Sequence, residues 1–217
     1  MQVWNISEDV SYQDHVFFYD ANVWRILFGP PPGPEEDEWL RSRREKILKF
    51  HNGLIYFRTK TLLEAPVRFK KRGFIAVDAC VIAETIKGYI QPVFDDCYKA
   101  YERECKASNS LPKSKNRYYK EDFRPNQFGS EYQDVMYKFN ELIEIDVVRM
   151  VESYTPKRVP TLGELGILDL NDYIYVELCK GNDYTLVTDD GDVKNSSGIK
   201  ILTSNPAILR AGSKSRP

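Results

Sequence analysis

The chain has 217 residues, of which 31 are basic and 32 acidic, for a formal net charge of -1 at pH 7. This length suits one α/β domain with elaborations, able to bury roughly 70–75% of its unfolded-chain surface, so folding requires neither a disulfide nor a structural metal. Balanced charge excludes attraction to a polyanion through the overall field, and any such contact needs a local patch.

The start, Met1-Gln-Val-Trp-Asn5, has neither the positive flank nor the apolar stretch of a signal peptide. No run of about 18 apolar residues occurs, so a soluble, cytoplasmic protein without a membrane partner is expected. Val16-Phe-Phe-Tyr-Asp20 is an apolar run of strand length that ends in an acid, and Ala21 to Phe28 opens as a helix. The prolines of Gly29 to Pro34 force a loop before a charged helix from about Glu36 to His51. Its expected apolar side is Trp39, Leu40, Ile47, Leu48 and Phe50.

A second strand is predicted over Gly73 to Val77, followed by a long helix from Ala79 to about Lys106. Its apolar positions are Ile82, Ile86, Tyr89, Val93, Cys97 and Tyr101, and Gly88 and Pro92 are expected to kink or divide it. Asn109 to Gly129 is polar and reads as an exposed loop. A helix from Glu131 to about Val147 comes next, with Tyr132, Val135, Met136, Phe139 and Ile143 as its core stripe. Leu170 to Cys179 reads as a helix with Gly181 as a plausible C-cap. Tyr184 to Thr188 is a strand, Gly198 to Leu202 an edge strand, and Ala211 to Pro217 a structureless tail. Strands separated by helices imply a parallel sheet covered on both faces, with ligands beyond the carboxyl ends of its strands.

The residue types narrow the chemistry. Cys80, Cys97, Cys105 and Cys179 form no Cys-x-x-Cys pair and sit in apolar helical segments, which predicts buried thiols. His15 and His51 alone leave little material for a zinc site or a His-activated nucleophile. Carboxylates remain. Asp20 directly follows the first predicted strand and Asp190 a later one, while Glu84 and Asp172 sit near the starts of helices. Convergence of all four on one mouth of the sheet is the expectation.

Two like charges at about 4 Å repel by roughly 4 kcal/mol at an effective dielectric near 20, a penalty that divalent cations remove. Oxygen ligands without His or Cys suit Mg²⁺ or Mn²⁺, ions that also accept phosphate oxygens, and this favours phosphodiester hydrolysis.

Four segments then resemble one family. Phe17-Phe-Tyr-Asp-Ala-Asn-Val-Trp24 is similar to the opening strand and Asp-x-Asn signature of PIN-domain nucleases, and Val81-Ile-Ala-Glu-Thr85 to their second acidic motif. Asn171-Asp-Tyr-Ile-Tyr-Val176 resembles the third, and Leu186-Val-Thr-Asp-Asp-Gly-Asp192 the fourth, in the family's order. The closing Ile199 to Thr203 with the Asn-Pro after it resembles the family's ending. The resemblance implies a three-layer α/β/α sandwich with a central parallel sheet, carried by a single domain over 1–210 with a disordered tail over 211–217. It implies Mg²⁺- or Mn²⁺-dependent cleavage of single-stranded RNA, leaving a 5′-phosphate and a 3′-hydroxyl. Asp20, Glu84, Asp172 and Asp190 would hold metal, with Asp192 assisting, and Asn22 and Thr188 would support the site. Many bacterial members are toxins, which implies an antitoxin or other protein inhibitor as partner, and homodimers are common in the family. The stretches over 29–72 and 88–168 are longer than in compact members, and Val193 stands where these often have an aromatic residue.

Structural alternatives stay open for several of these residues. Asp172 would occupy the third position of a helix capped by Asp169, where an acid simply complements the dipole. Asp190 shares its turn with Asp189 and Asp192, and Thr188 fits equally as a strand-end hydroxyl. Lys113, Lys115 and Arg117 beside Tyr118 suit a phosphate-tracking, base-stacking contact, or else merely a solvated loop. The basic run Arg68 to Arg72 has the same two readings. A catalytically silent PIN-like module that binds RNA or protein is the rival function. An aspartyl phosphatase is a weaker one, because Asp20-Ala-Asn22 lacks the second Asp such enzymes carry.

Overall fold

Phe17, Phe18 and Tyr19 are bulky aromatics suited to a pleated backbone, and all three are fully buried, as expected of a strand covered on both faces. They form β2 (Phe17–Tyr19) near the middle of a six-stranded sheet. The other strands are β1 (Gln2–Asn5), β3 (Ile75–Val77), β4 (Val148–Met150), β5 (Thr185–Val187) and β6 (Lys200–Thr203). Every pairing is parallel, in the order β1-β6-β5-β2-β3-β4. The structure is a computed structural model that describes residues 1–8, 10–29, 37–61 and 72–213. Pro30 to Pro34 of the proline-rich loop and 68–71 of the second basic run lie outside the described residues.

The helices are α1 (Ala21–Phe28), α2 (Glu38–Tyr56), α3 (Ala79–Ala107), α4 (Lys115–Tyr118), α5 (Arg124–Asn126), α6 (Phe128–Glu144), α7 (Leu162–Leu165), α8 (Leu170–Asn182) and α9 (Pro206–Ser213). Side chains alternate between the faces of a strand. Phe17 and Tyr19 meet Phe50 of α2, whereas Phe18 between them meets Tyr175 of α8. Helices α2 and α8 therefore cover opposite faces, an α/β arrangement compatible with a three-layer sandwich. One large apolar cluster runs from Ile6 to Ile208 and includes Trp24 and Phe139, whose rings are 4.8 Å apart. Among the described residues no helix is long and apolar enough to cross a membrane.

Aspartates start most of the long helices. Asp20, Asp37, Asp78 and Asp169 cap α1, α2, α3 and α8, each accepting a backbone N–H of the first turn. Two of these follow the adjacent strands β2 and β3, and the order of connections places a topological switch beside them. From β2 the chain moves outward to β3 and β4, then returns across the sheet to β5 on the other flank of β2. The crevice above β2 and β5 is where a doubly wound sheet binds ligands.

Several expectations need correction. Gly198 to Leu202 is not an edge: β6 starts at Lys200 and lies between β1 and β5, while the edges are β1 and β4. Trp39 and Leu40 are exposed, and the buried side of α2 is Ile47, Phe50, His51 and Leu54. Pro92 does not divide α3, which is continuous over 29 residues. Gly88 serves a different purpose, since a Cβ there would stand 2.4 Å from Arg25 Cδ. Helix α8 runs through Gly181 and is capped instead by Asp183 in the left-handed region. Ala211 to Ser213 belong to α9 and not to a tail, and 214–217 lie outside the described residues.

The largest revision concerns 109–129. This segment contains α4, a π-helical turn over Tyr119–Phe123 and α5, and it folds back on α3 through a second apolar cluster of Ile90, Phe94 and Phe123.

Candidate active site

Asp20 directly follows β2 and is 95% removed from solvent. Its Oδ1 accepts the Val23 N–H at 2.8 Å, and its Oδ2 accepts the hydroxyl of Thr188, which is itself buried just beyond β5. Burial pushes this carboxyl up to about 6, and only in part do the bonds from Thr188 and Val23 and the nearby Arg43 oppose it. Thr188 Oγ1 also accepts the backbone N–H of Asp190, tying the strand end to the next turn at 2.9 Å. Asp190 in turn caps the short 3₁₀ helix Gly191–Asn195 by accepting the Asp192 N–H.

Asp172 lies in the first turn of α8, and its N–H donates to the Asp169 cap at 2.9 Å. Its carboxyl is pushed up to about 7, first by burial and then by the charges of Asp169, Asp190, Asp20 and Glu84. That second cause includes all three of the other predicted acids. Glu84, on α3, accepts the hydroxyl of Tyr175 at 2.5 Å, so a side chain of α8 reaches over to α3 and holds it. Burial and this bond to Glu84 drive the Tyr175 phenol far above its usual range.

The Asp172 carboxyl thus feels the charges of Asp190, Asp20 and Glu84. Among the described residues, however, no three His, Cys, Asp or Glu side chains are drawn in tightly enough to hold an ion. The donor set nonetheless fits a hard divalent cation in kind: it is all carboxylate oxygen, and burial raises two of its members, Asp20 and Asp172, above the usual carboxylate range. Asn22 is half-buried and accepts the Arg25 guanidinium, a bond that turns it toward its own helix. Asp192 is exposed beside the site.

Asp189 has a different role from the acids around it. It pairs with Arg43 at 2.7 Å and accepts Thr203 Oγ1, Ser204 N, Ser204 Oγ and Asn205 N at 2.6 to 3.0 Å. Burial pushes its carboxyl up, but these bonds and Arg43 outweigh that and hold it below the usual range. Asp78, level with Asp20 on the neighbouring strand, caps α3 through Oδ1, and its fully buried Oδ2 has no partner among the described residues. Sequence reading passed over Arg43, Asp78 and Tyr175, and named Asp189 only as sharing the turn of Asp190. Arg43 is one cation in a charged helix 146 residues from its partner, and nothing local marks it.

The proposed basic contact does not stand on an open loop. Lys113 meets Glu121 and Asp122, Arg117 meets Glu121, and Tyr118 stacks on Tyr101 at 4.6 Å. The acids that answer these cations lie just past the stretch that looked uniformly basic. Lys115 pairs with Asp95 at 2.6 Å on the surface.

No family model, curated protein sequence or solved structure matches the chain.

Proposed function

We propose that this chain is a PIN-like nuclease, a three-layer α/β/α domain that hydrolyses phosphodiester bonds of single-stranded RNA. Asp20, Glu84, Asp172 and Asp190 would hold Mg²⁺ or Mn²⁺. The observation that carries the reading is that Asp20 and Asp190 follow β2 and β5 at the switch point, and that the Asp172 carboxyl, raised first by burial and by Asp169, is raised further by the charges of Asp190, Asp20 and Glu84. A divalent ion would supply the missing positive charge and activate water against a phosphate. The chain's own contribution is to hold the oxygens. Thr188 and the α1 cap restrain Asp20, Tyr175 restrains Glu84, and the 3₁₀ turn restrains Asp190.

The test is incubation of labelled single-stranded RNA with the protein in Mn²⁺, Mg²⁺ or EDTA, beside an Asp20→Asn variant. Metal-dependent cleavage that falls to background in the variant is the expected result. A second reading, a silent PIN-like module, is favoured by the absence of a tight three-acid group among the described residues. It predicts RNA binding without cleavage and no Mn²⁺-induced rise in melting temperature. An antitoxin or other inhibitor protein is proposed from the family resemblance alone, and a tight partner co-purifying from the native source would support it.

A further inference from the structure

Helix α3 carries more than Glu84. Beginning at Ala83 and Lys87, on either side of that acid, a groove of about 690 Å³ continues along the helix past Ile90 and Phe94. Its opposite wall is built by the 109–129 segment, through Lys115, Asn116 and Tyr119, and closed by Phe128. Glu84 to Phe94 is ten residues, about 15 Å along the axis. The near end of the groove, at Ala83 and Lys87, thus lies within one turn of Glu84 on the same helix, although none of the four candidate acids lines it.

The floor is aliphatic and aromatic, with Ile90 and Phe94 buried and Tyr119 and Phe128 half-buried and able to offer a ring face or edge. The polar members are two lysines and the amides of Gln91 and Asn116, with no carboxylate among the lining residues. A patch that binds only an apolar helix needs no such cations. The Lys115 ion pair with Asp95 is solvent-exposed, and exposed pairs are worth little, so this cation can exchange its partner for a phosphate. Aromatic faces flanked by lysines are the chemistry that takes unstacked bases while tracking their phosphates, and amides can read base edges.

We infer that this groove binds nucleobases of the same RNA strand whose phosphodiester is cut at the acids, making the 109–129 segment a substrate-positioning element. The inference rests on the nuclease reading for its placement but is tested separately from it. In an Asp20→Asn background, binding of a labelled single-stranded RNA is compared with that of an equal-length strand of abasic ribose phosphates. The expected preference for the base-containing strand is about tenfold, collapsing to within about twofold in Tyr119→Ala. Asn116→Ala and Lys87→Ala, both at exposed positions, guard against misfolding of the tyrosine variant. The former should reduce the preference, and the latter should weaken both strands alike and lower the salt slope by about one.

Equal binding of the two strands, or a preference untouched by Tyr119→Ala and Asn116→Ala, overturns the groove assignment even if metal-dependent cleavage is found. A base preference that follows these variants in a protein that never cleaves RNA keeps the groove and discards the nuclease. Self-association that Tyr119→Ala abolishes, without a base preference, gives the groove to a second copy of the chain and overturns the inference.

Discussion

Asp189 and Asp20 are both buried carboxylates at the carboxyl end of the sheet, yet they are built in opposite ways. Asp189 accepts four hydrogen bonds and a guanidinium, and its charged form is favoured. Asp20 accepts one N–H and one hydroxyl, and its charged form is resisted. A buried acid given this many donors holds the fold together, whereas one left short of them is a candidate for a functional role.

Substitution should break this contrast most visibly at Asp189. Asp189→Ala leaves Arg43 and the Thr203–Asn205 turn without their acceptor, and a loss of about 3–5 kcal/mol is expected in urea unfolding. An unchanged midpoint would show that the network is ornamental. Asp20→Asn should act in the opposite direction. Its carboxyl is raised to about 6 by burial, and neutralising it should stabilise the fold by about 1–3 kcal/mol at pH 7 while removing cleavage.

The pH dependence follows from the same shifts. Asp20 and Asp172 titrate at about 6 and about 7 in the folded chain, above their unfolded value, so folding takes up protons between pH ~4 and ~7. Stability from these two groups should therefore fall as pH rises through that window, and Mn²⁺ should flatten the decline by stabilising the folded state. Asp189, lowered, works the other way and loses its contribution only in acid. A Mn²⁺-independent slope in unfolding measured from pH ~5 to ~7.5 would argue against a shared metal site.

Two smaller effects sharpen the picture. Thr188→Val removes a hydroxyl bonded to both Asp20 and the Asp190 N–H, and about 1 kcal/mol should be lost, with Asp20 titrating higher still by carbon-detected NMR. Asp192→Asn, at an exposed position, should change stability by no more than about 0.5 kcal/mol. A large loss of cleavage in that variant would promote Asp192 from the rim of the site to its centre.

The parts legible in the sequence are those written in local pattern. The aromatic run before Asp20, the Leu-Val of β5 and the caps Asp20 and Asp169 announce strand ends and helix starts, and these place three of the four acids in the fold. What escaped depends on distant partners. Strand β4 is three residues with Met150 exposed, and β1 is four residues with polar ends, so neither shows a usable period. Asp189 and Asp190 are identical in type and adjacent, and only Arg43 and the Thr203–Asn205 turn distinguish them. The 109–129 segment is polar in composition, but its few aromatics suffice to dock it on α3.

Among the described residues, strand β1 pairs with β6 alone, Gln2 opposite Lys200. The two strands are far apart in sequence, and a contact of that span is slow to form. Strand β6, which flanks the strand bearing the Thr188 end of the crevice, is therefore expected to gain its outer cover late in folding. Folding intermediates should then lack the β1 amide protection in pulsed hydrogen exchange while β2 and β3 already show it.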